Sequence, residues 1–223
     1  MLAQIVLFDG FDPLDVIAPY EVLHAAGMFT EGAVSVELVT AEGPREVPSG
    51  TGPLSLRSTG TLDPVRADVI ILPGAAGELP AEAATTDEDP QDTIPAVLGR
   101  TLQTGLPGLV EEALRREDTI VATVCGGSLV LAMAGLIEGR HATTHHLGLE
   151  LLEATGARPV RARVVDDGDL VTGAGVTSGL DLALYLIERE IGPRVAHSVE
   201  QLFAHERRGV VWSTRGQAPA LAL

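Results

Sequence analysis

The sequence predicts an α/β fold with a mostly parallel sheet covered by helices on both faces. Fully apolar segments typical of buried strands alternate with helical segments, and the short connections between them imply right-handed crossovers. Hydrophobic residues make up 45% of the chain but aromatic residues only 3%. A core of Ala, Val, Leu and Ile suits helices packed on a buried parallel sheet. With 223 residues, the chain is long enough for one sizeable core, which predicts a single domain over residues 1–223.

The first third of the chain alternates between strand and helix patterns. "MLAQIVLFDG" is a short apolar run closed by a turn, which predicts a buried strand. A helix is expected next, capped by Asp12, with Pro13 at its first position and Gly27 at its end. Pro19 is expected to bend or divide this helix. "AVSVELVTAEG" predicts a second strand, "LSLRSTGTL" a shorter extended piece, and "ADVIILPGAAG" a buried strand leading into a glycine loop.

Residues 78–105 mix acidic residues, Thr and Pro with little periodicity, which predicts an exposed excursion. Within it, "DEDPQD" is interpreted as a solvated segment, and a lid or a dimer contact remains the alternative.

The second half predicts five helices and three strands. "LPGLVEEALRRED" is a helical pattern, "TIVATV" a buried strand, and "GSLVLAMAGLIEG" a helix that ends at Gly135 or Gly139. "ATTHHLGLELLEATGA" predicts a helix capped by Thr, and "RARVVDDGDLVTGAG" a hairpin turning at Asp167-Gly168. Two further helices are expected on either side of Gly192-Pro193.

Charge and composition exclude several classes of function. Fifteen basic and 31 acidic residues give a net charge of −16, which argues against a nucleic-acid partner. No segment approaches the roughly 20 apolar residues needed to cross a bilayer, and the N-terminus lacks a basic region before an apolar run. We therefore expect a soluble, cytoplasmic protein. One cysteine permits no internal disulfide and no thiolate zinc cage, and the scattered histidines do not suggest a metal site.

The lone cysteine, Cys125, stands between a predicted strand and a predicted helix, with Gly126 and Gly127 directly behind it. Small residues after a nucleophile let a strained backbone present it at the edge of a sheet, as in a nucleophile elbow. The N-terminus of the following helix is expected to stabilise a thiolate and lower its pKa. The alternative is a small buried core residue, which is common for unpaired cysteines.

Two further groups are expected at the same edge of the sheet. The backbone amides of Ala75 and Gly126 form a candidate pair for stabilising negative charge on a substrate, whereas a simple turn at Pro73-Gly74 is the alternative. Asp15, at the third position of the first helix, is a candidate proton-handling group. Its alternative role is to complement the helix dipole. If it lies beside the sulfur, the carboxylate and the thiol share a proton and titrate together.

His145 and His146 follow two threonines before a predicted helix. A cation is disfavoured at a helix N-terminus, so a neutral imidazole with a structural hydrogen bond is expected, and a direct pair between Cys125 and a histidine is the alternative.

The quoted segments resemble a known family. "VIILPGAAG", "VATVCGGSLVLAMAGLIEGRHATTHH" and "LVTGAGVTSGLDLALYLIEREIG" resemble the ThiJ/PfpI superfamily, and particularly its isonitrile hydratase-like branch. "FDPLDVIAPYEVL" resembles that branch's first helix. The similarity spans almost the whole chain in order, with an acidic insertion at about residues 80–104.

The resemblance implies a flavodoxin-like three-layer sandwich, usually dimeric, with Cys125 as the nucleophile and Asp15 as its carboxylic partner. It also implies that the amides of Ala75 and Gly126 are anion donors. Gly74, Gly127 and His145 are candidate residues of a substrate pocket. Isonitrile hydratases usually carry Thr where this chain has Gly126, and protease-like members carry His there. The family's Pro-Gly-Gly loop appears here as Pro-Gly-Ala.

Three functions follow from the resemblance. The first is an enzyme that hydrates a small isonitrile to an N-substituted formamide through Cys125, without a cofactor or metal. The second is a non-enzymatic module that senses a ligand or oxidation. The third is a glyoxalase-like activity on small dicarbonyls, which requires His145 near the sulfur. Related sensors carry a helix-turn-helix region, and the end of this chain near Leu223 argues against a DNA-binding regulator.

Overall fold

The computed structural model describes residues 1–78, 93–218 and 220. The strands of this part are β1 (Leu2–Val6), β2 (Ser35–Thr40), β3 (Glu46–Pro48), β4 (Ser55–Arg57), β5 (Gly60–Thr61), β6 (Val69–Leu72), β7 (Ile120–Thr123), β8 (His141–Ala142), β9 (Arg158–Pro159), β10 (Val164–Asp166), β11 (Leu170–Gly173) and β12 (Trp212–Ser213). The α-helices are α1 (Pro13–Phe29), α2 (Ile94–Thr101), α3 (Leu106–Leu114), α4 (Gly127–Met133), α5 (Leu149–Ala154), α6 (Ser178–Glu190) and α7 (Pro193–Phe203). A 3₁₀ turn, His146–Gly148, precedes α5.

Eight of these strands form one sheet in the order β12-β10-β11-β7-β6-β1-β2-β5. Among them, only the β10–β11 hairpin pairs antiparallel. Every residue of β6, β7 and β11 is buried, as expected for parallel strands covered on both faces. The α/β prediction is therefore confirmed.

Helices pack in two groups around this sheet. The helices α1, α6 and α7 contact one another, while α3 packs on β7, α2 on α4, and α4 on α5. In the sheet order, β6 and β7 are neighbours at the centre and β1 lies next to β6. The segments that follow these three strands therefore meet at one edge of the sheet.

The first helix begins as predicted but ends later. The Asp12 side chain accepts a hydrogen bond from the Leu14 N–H at 2.9 Å, and Pro13 is the first helical residue. The helix is undivided at Pro19 and continues past Gly27 to Phe29. A Cβ on Gly27 would lie 2.5 Å from the Val34 carbonyl oxygen, so this glycine permits a close backbone approach and does not end the helix.

The predicted exposed excursion is partly wrong. Residues 79–92, including "DEDPQD", lie outside the described residues, but α2 occupies 94–101 and buries Val97 and Leu98. The Thr93 side chain caps this helix and accepts from the Ala96 N–H at 3.4 Å. Thr and Pro are common in loops, but here they start a helix.

The predicted Thr-capped helix is also wrong in its start. His145 caps the 3₁₀ turn, and the two threonines before it are buried and do not cap a helix. The sequence patterns also missed β3, β8, β9 and β12, whose two or three residues are too few to show a period.

Candidate functional site

Cys125 lies in the turn that joins the end of β7 to the start of α4. Its φ is +53°, in the left-handed region that costs a non-glycine residue about 1–2 kcal/mol. The Cys125 N–H donates to the Gly173 carbonyl at 3.1 Å, and the Thr144 hydroxyl donates to the Cys125 carbonyl at 2.9 Å. The elbow is therefore held by β11 and by the segment before α5. Sequence reasoning missed Thr144, whose hydroxyl was expected to cap a helix.

The two glycines that follow Cys125 in the sequence have different structural roles. A Cβ on Gly127 would lie 2.3 Å from the Leu72 carbonyl oxygen, so only glycine fits against the end of β6. A Cβ on Gly126 would meet nothing closer than 3.6 Å, and its φ of −69° suits any residue. Gly127 thus serves the packing of the elbow, while Gly126 leaves open space beside the sulfur.

Asp15 and Cys125 lie against the same backbone unit, Gly74. The Asp15 side chain is fully buried, and its Oδ2 accepts a hydrogen bond from the Gly74 N–H at 2.8 Å. A Cβ on Gly74 would lie 2.8 Å from that oxygen, 3.2 Å from the Cys125 Cβ and 2.6 Å from the Gly126 nitrogen. Within the described residues, Asp15 Oδ1 has no hydrogen-bond partner. A buried carboxyl group with one unsatisfied oxygen is suited to hold and transfer a proton.

Burial sets the protonation of both groups. It raises the pKa of Asp15 to about 8, with a further rise from the Asp12 charge and a smaller opposing effect of the Gly74 N–H. Burial, and then the Asp15 charge, raise the pKa of the Cys125 thiol, while the Gly126 N–H lowers it. The helix N-terminus does lower the thiol pKa through the Gly126 N–H, but the expected net lowering is wrong, because the loss of solvation outweighs this effect. At neutral pH, Asp15 is predominantly a neutral acid beside a neutral thiol.

The amides of Ala75 and Gly126 are close neighbours. The Ala75 nitrogen lies 3.9 Å from the position of a Cβ on Gly126. No backbone hydrogen bond among the described residues uses the N–H of Ala75, and the Gly126 N–H faces the sulfur. Ala75 does not have positive φ, so the alanine in this loop carries no strain. Two N–H groups beside a nucleophile can stabilise negative charge as it develops on a substrate atom.

A cavity of about 1150 Å³ opens above these groups. It is lined by Cys125, Gly126, Ala75, Asp12 and His145, and by a set of apolar side chains. These apolar residues are Ile94, Pro95, Val97, Leu98, Leu129, Met133, Leu147, Leu151 and Val176. The sequence patterns did not predict that α2 lines the cavity, although the spacing of apolar residues in "IPAVLG" is a signal for a helix with an apolar face.

His145 lines the cavity but does not pair with the sulfur. Its Nδ1 accepts a hydrogen bond from the Leu147 N–H at 3.4 Å, and its ring stacks at a tilt on His146 with centroids 4.2 Å apart. Burial, and then the charge of His146, lower the pKa of His145. The imidazole is therefore neutral at neutral pH and carries its proton on Nε2. Of the residues that the structure describes, no group of three or more His, Cys, Asp or Glu is arranged to hold a metal ion.

Comparisons with known proteins find similarity over most of this chain. The model of the DJ-1/PfpI family matches residues 102–189. An isonitrile hydratase of Pseudomonas putida is 38% identical over 197 residues, which cover 87% of this chain and 74% of that enzyme. A crystal structure of a ThiJ/PfpI family protein from Pseudomonas syringae superposes with a TM-score of 0.68 at 25% identity, covering 93% of this chain and 76% of that one.

A second kind of relative is a regulator. The HTH-type transcriptional regulator CdhR of Pseudomonas aeruginosa is 28% identical over 203 residues, which cover 89% of this chain. The match covers only 53% of the regulator, so this chain spans about half the length of that relative. The similar proteins therefore include both an enzyme and a regulator.

Proposed function

This chain belongs to the DJ-1/PfpI family, and on that premise we propose that it is a cysteine-dependent hydratase that converts a small isonitrile to an N-substituted formamide. The observation that carries the proposal is the arrangement around Gly74. A strained cysteine and a buried, protonated carboxyl group lie on the same backbone unit, with the amides of Ala75 and Gly126 beside them. The similarity to the Pseudomonas putida isonitrile hydratase supports the choice of substrate class.

The proposed reaction begins with attack of the Cys125 sulfur on the terminal carbon of the isonitrile. Asp15 gives its proton to that carbon and takes up the thiol proton, so a thioimidate forms and the carboxyl group stays neutral. Water then adds to the thioimidate carbon, and the C–S bond breaks to release the formamide and the free thiol. The amides of Ala75 and Gly126 stabilise the negative charge that develops during these steps. Every atom of the product comes from the isonitrile and water.

The raised thiol pKa fits this chemistry better than oxidation sensing. Peroxide reacts with the thiolate, and burial disfavours that form of Cys125. In the proposed reaction, the proton that leaves sulfur is needed on carbon, so a free thiolate does not have to accumulate.

Ligand sensing is the second candidate, because the regulator CdhR matches most of this chain. A sensing module would bind its ligand in the cavity without turnover. A glyoxalase-like activity is less well supported, since His145 hydrogen-bonds to the Leu147 N–H and not to the sulfur.

The test measures formamide production from an alkyl isonitrile by NMR. Wild type and Glu21→Gln, an exposed change on α1, are expected to turn over the substrate, and Cys125→Ala is expected to have no activity above background. Turnover that survives Cys125→Ala would refute the mechanism. Saturable binding of the isonitrile without turnover by the wild type would favour sensing, and turnover of methylglyoxal alone would favour the glyoxalase.

The assembly and surroundings of this enzyme are also proposals. We propose a homodimer of one-domain chains in the cytoplasm. The single cysteine supports a reducing compartment, and the eight-stranded sheet, which takes strands from both ends of the described chain, supports one domain. No helix among the described residues is long and apolar enough to span a membrane. Light scattering after gel filtration tests the dimer, and a monomer mass would refute it.

A further inference from the structure

We propose that Leu98 is a specificity-determining residue, whose side chain limits the size of the substrate group that reaches Cys125. This inference rests on the proposed hydratase function and extends it from the reacting carbon to the substituent that the isonitrile carries.

Leu98 borders the open space at Gly126. Where a Cβ on Gly126 would stand, the Leu98 Cδ1 lies only 3.6 Å away. Gly126 directly follows Cys125, and its N–H faces the sulfur. A methyl group of Leu98 is therefore at van der Waals distance from the space beside the nucleophile, and no side chain at position 126 separates the two.

The helix that carries Leu98 is fixed against the rest of the site. On its neighbouring residue, the Val97 Cγ1 lies 2.6 Å from the position of a Cβ on Gly10, so α2 packs directly on backbone of the loop between β1 and α1. Val97 and Leu98 are 3% and 2% exposed. The α2 helix also contacts α4, which begins two residues after the cysteine. Because well-packed side chains do not move aside freely, Leu98 acts as a firm wall.

The surrounding cavity indicates what kind of group meets this wall. Apolar side chains of α4, the 3₁₀ turn and α5, namely Leu129, Met133, Leu147 and Leu151, also line the cavity. An uncharged aliphatic substituent is compatible with these walls, and Leu98 leaves less room for a substituent branched next to the isonitrile nitrogen than for an unbranched one. We therefore expect the wild type to prefer unbranched substituents.

Two pairs of probes, each matched in reactive group but different in bulk, test this inference. The first pair, ethyl and tert-butyl isonitrile, measures kcat/KM for hydration. The second pair, iodoacetamide and its N-benzyl derivative, alkylates the thiol with the same reactive group and different bulk. Cys125 is the only cysteine of the chain, so the mass increase reports this site alone. The matched control is Leu106→Ala, which removes an equally buried leucine from α3 that does not line the cavity.

For Leu98→Ala, the ratio of rates for the bulky over the small probe is expected to rise at least about tenfold in both pairs, since a single methylene in a pocket changes selectivity by about that factor. Leu106→Ala is expected to leave both ratios at the wild-type value. Unchanged ratios in Leu98→Ala, or an equal rise in the control, would overturn the inference. If the alkylation ratio changes but no variant turns over the isonitrile, the role of Leu98 as a size limit is supported and the proposed hydratase function is refuted.

Discussion

Asp15→Asn is expected to flatten the pH dependence of stability. Burial raises the pKa of Asp15 from 3.8 to about 8 in the folded protein. Between these values the unfolded chain has released the proton and the folded chain retains it, so the free energy of unfolding falls as pH rises. The slope is about 1.4 kcal/mol for each pH unit, which gives a loss of at most about 4 kcal/mol between pH 5 and pH 8. Stability from this group is complete below the unfolded pKa.

Asparagine keeps the shape of the side chain and an oxygen for the Gly74 N–H, but it cannot ionise. Urea unfolding followed by circular dichroism at pH 5 and pH 8 measures the effect. We expect the stability of Asp15→Asn relative to wild type to increase by up to about 4 kcal/mol from the lower to the higher pH. Glu21→Gln, which removes an exposed carboxylate of the same helix, controls for general charge effects. Parallel curves for wild type and Asp15→Asn would refute the assignment of a buried, neutral carboxyl group.

Two further predictions concern the backbone of the site. Gly74→Ala is expected to destabilise the protein by about 2 kcal/mol and to abolish turnover, because its Cβ would lie 2.6 Å from the Gly126 nitrogen. The control variant Gly126→Ala is expected to fold normally, and equal melting temperatures of the two variants would contradict this prediction. The free energy of unfolding of Cys125→Gly, measured with urea, is expected to exceed that of Cys125→Ala by about 1 kcal/mol, because glycine relieves the backbone strain at φ +53°. The opposite order would mean that the backbone at position 125 is not strained.

The reason why parts of this protein were predictable is that their signals are local. Apolar runs predicted β1, β6 and β7, a hairpin pattern predicted β11, and a cysteine followed by two glycines predicted the elbow. Asp12 and Pro13 predicted the start of α1, which places Asp15 near the ends of the central strands. By contrast, α2 was hidden because its apolar residues are interrupted by Thr and Pro, which occur in loops as well as at helix starts.

The sequence by itself determined the alternation of the central strands with most of the helices, the lone thiol at the turn after β7, and the acid at the start of α1. Only the tertiary structure decided the protonation of these groups and their contacts. The pKa of Asp15 and Cys125 depends on how much water the packed chain removes, and the sequence pattern carries no measure of that desolvation. Likewise, the contact of Thr144 with the elbow and the wall formed by Leu98 join segments distant in sequence. Such contacts arise only when the whole sheet brings those segments to one edge.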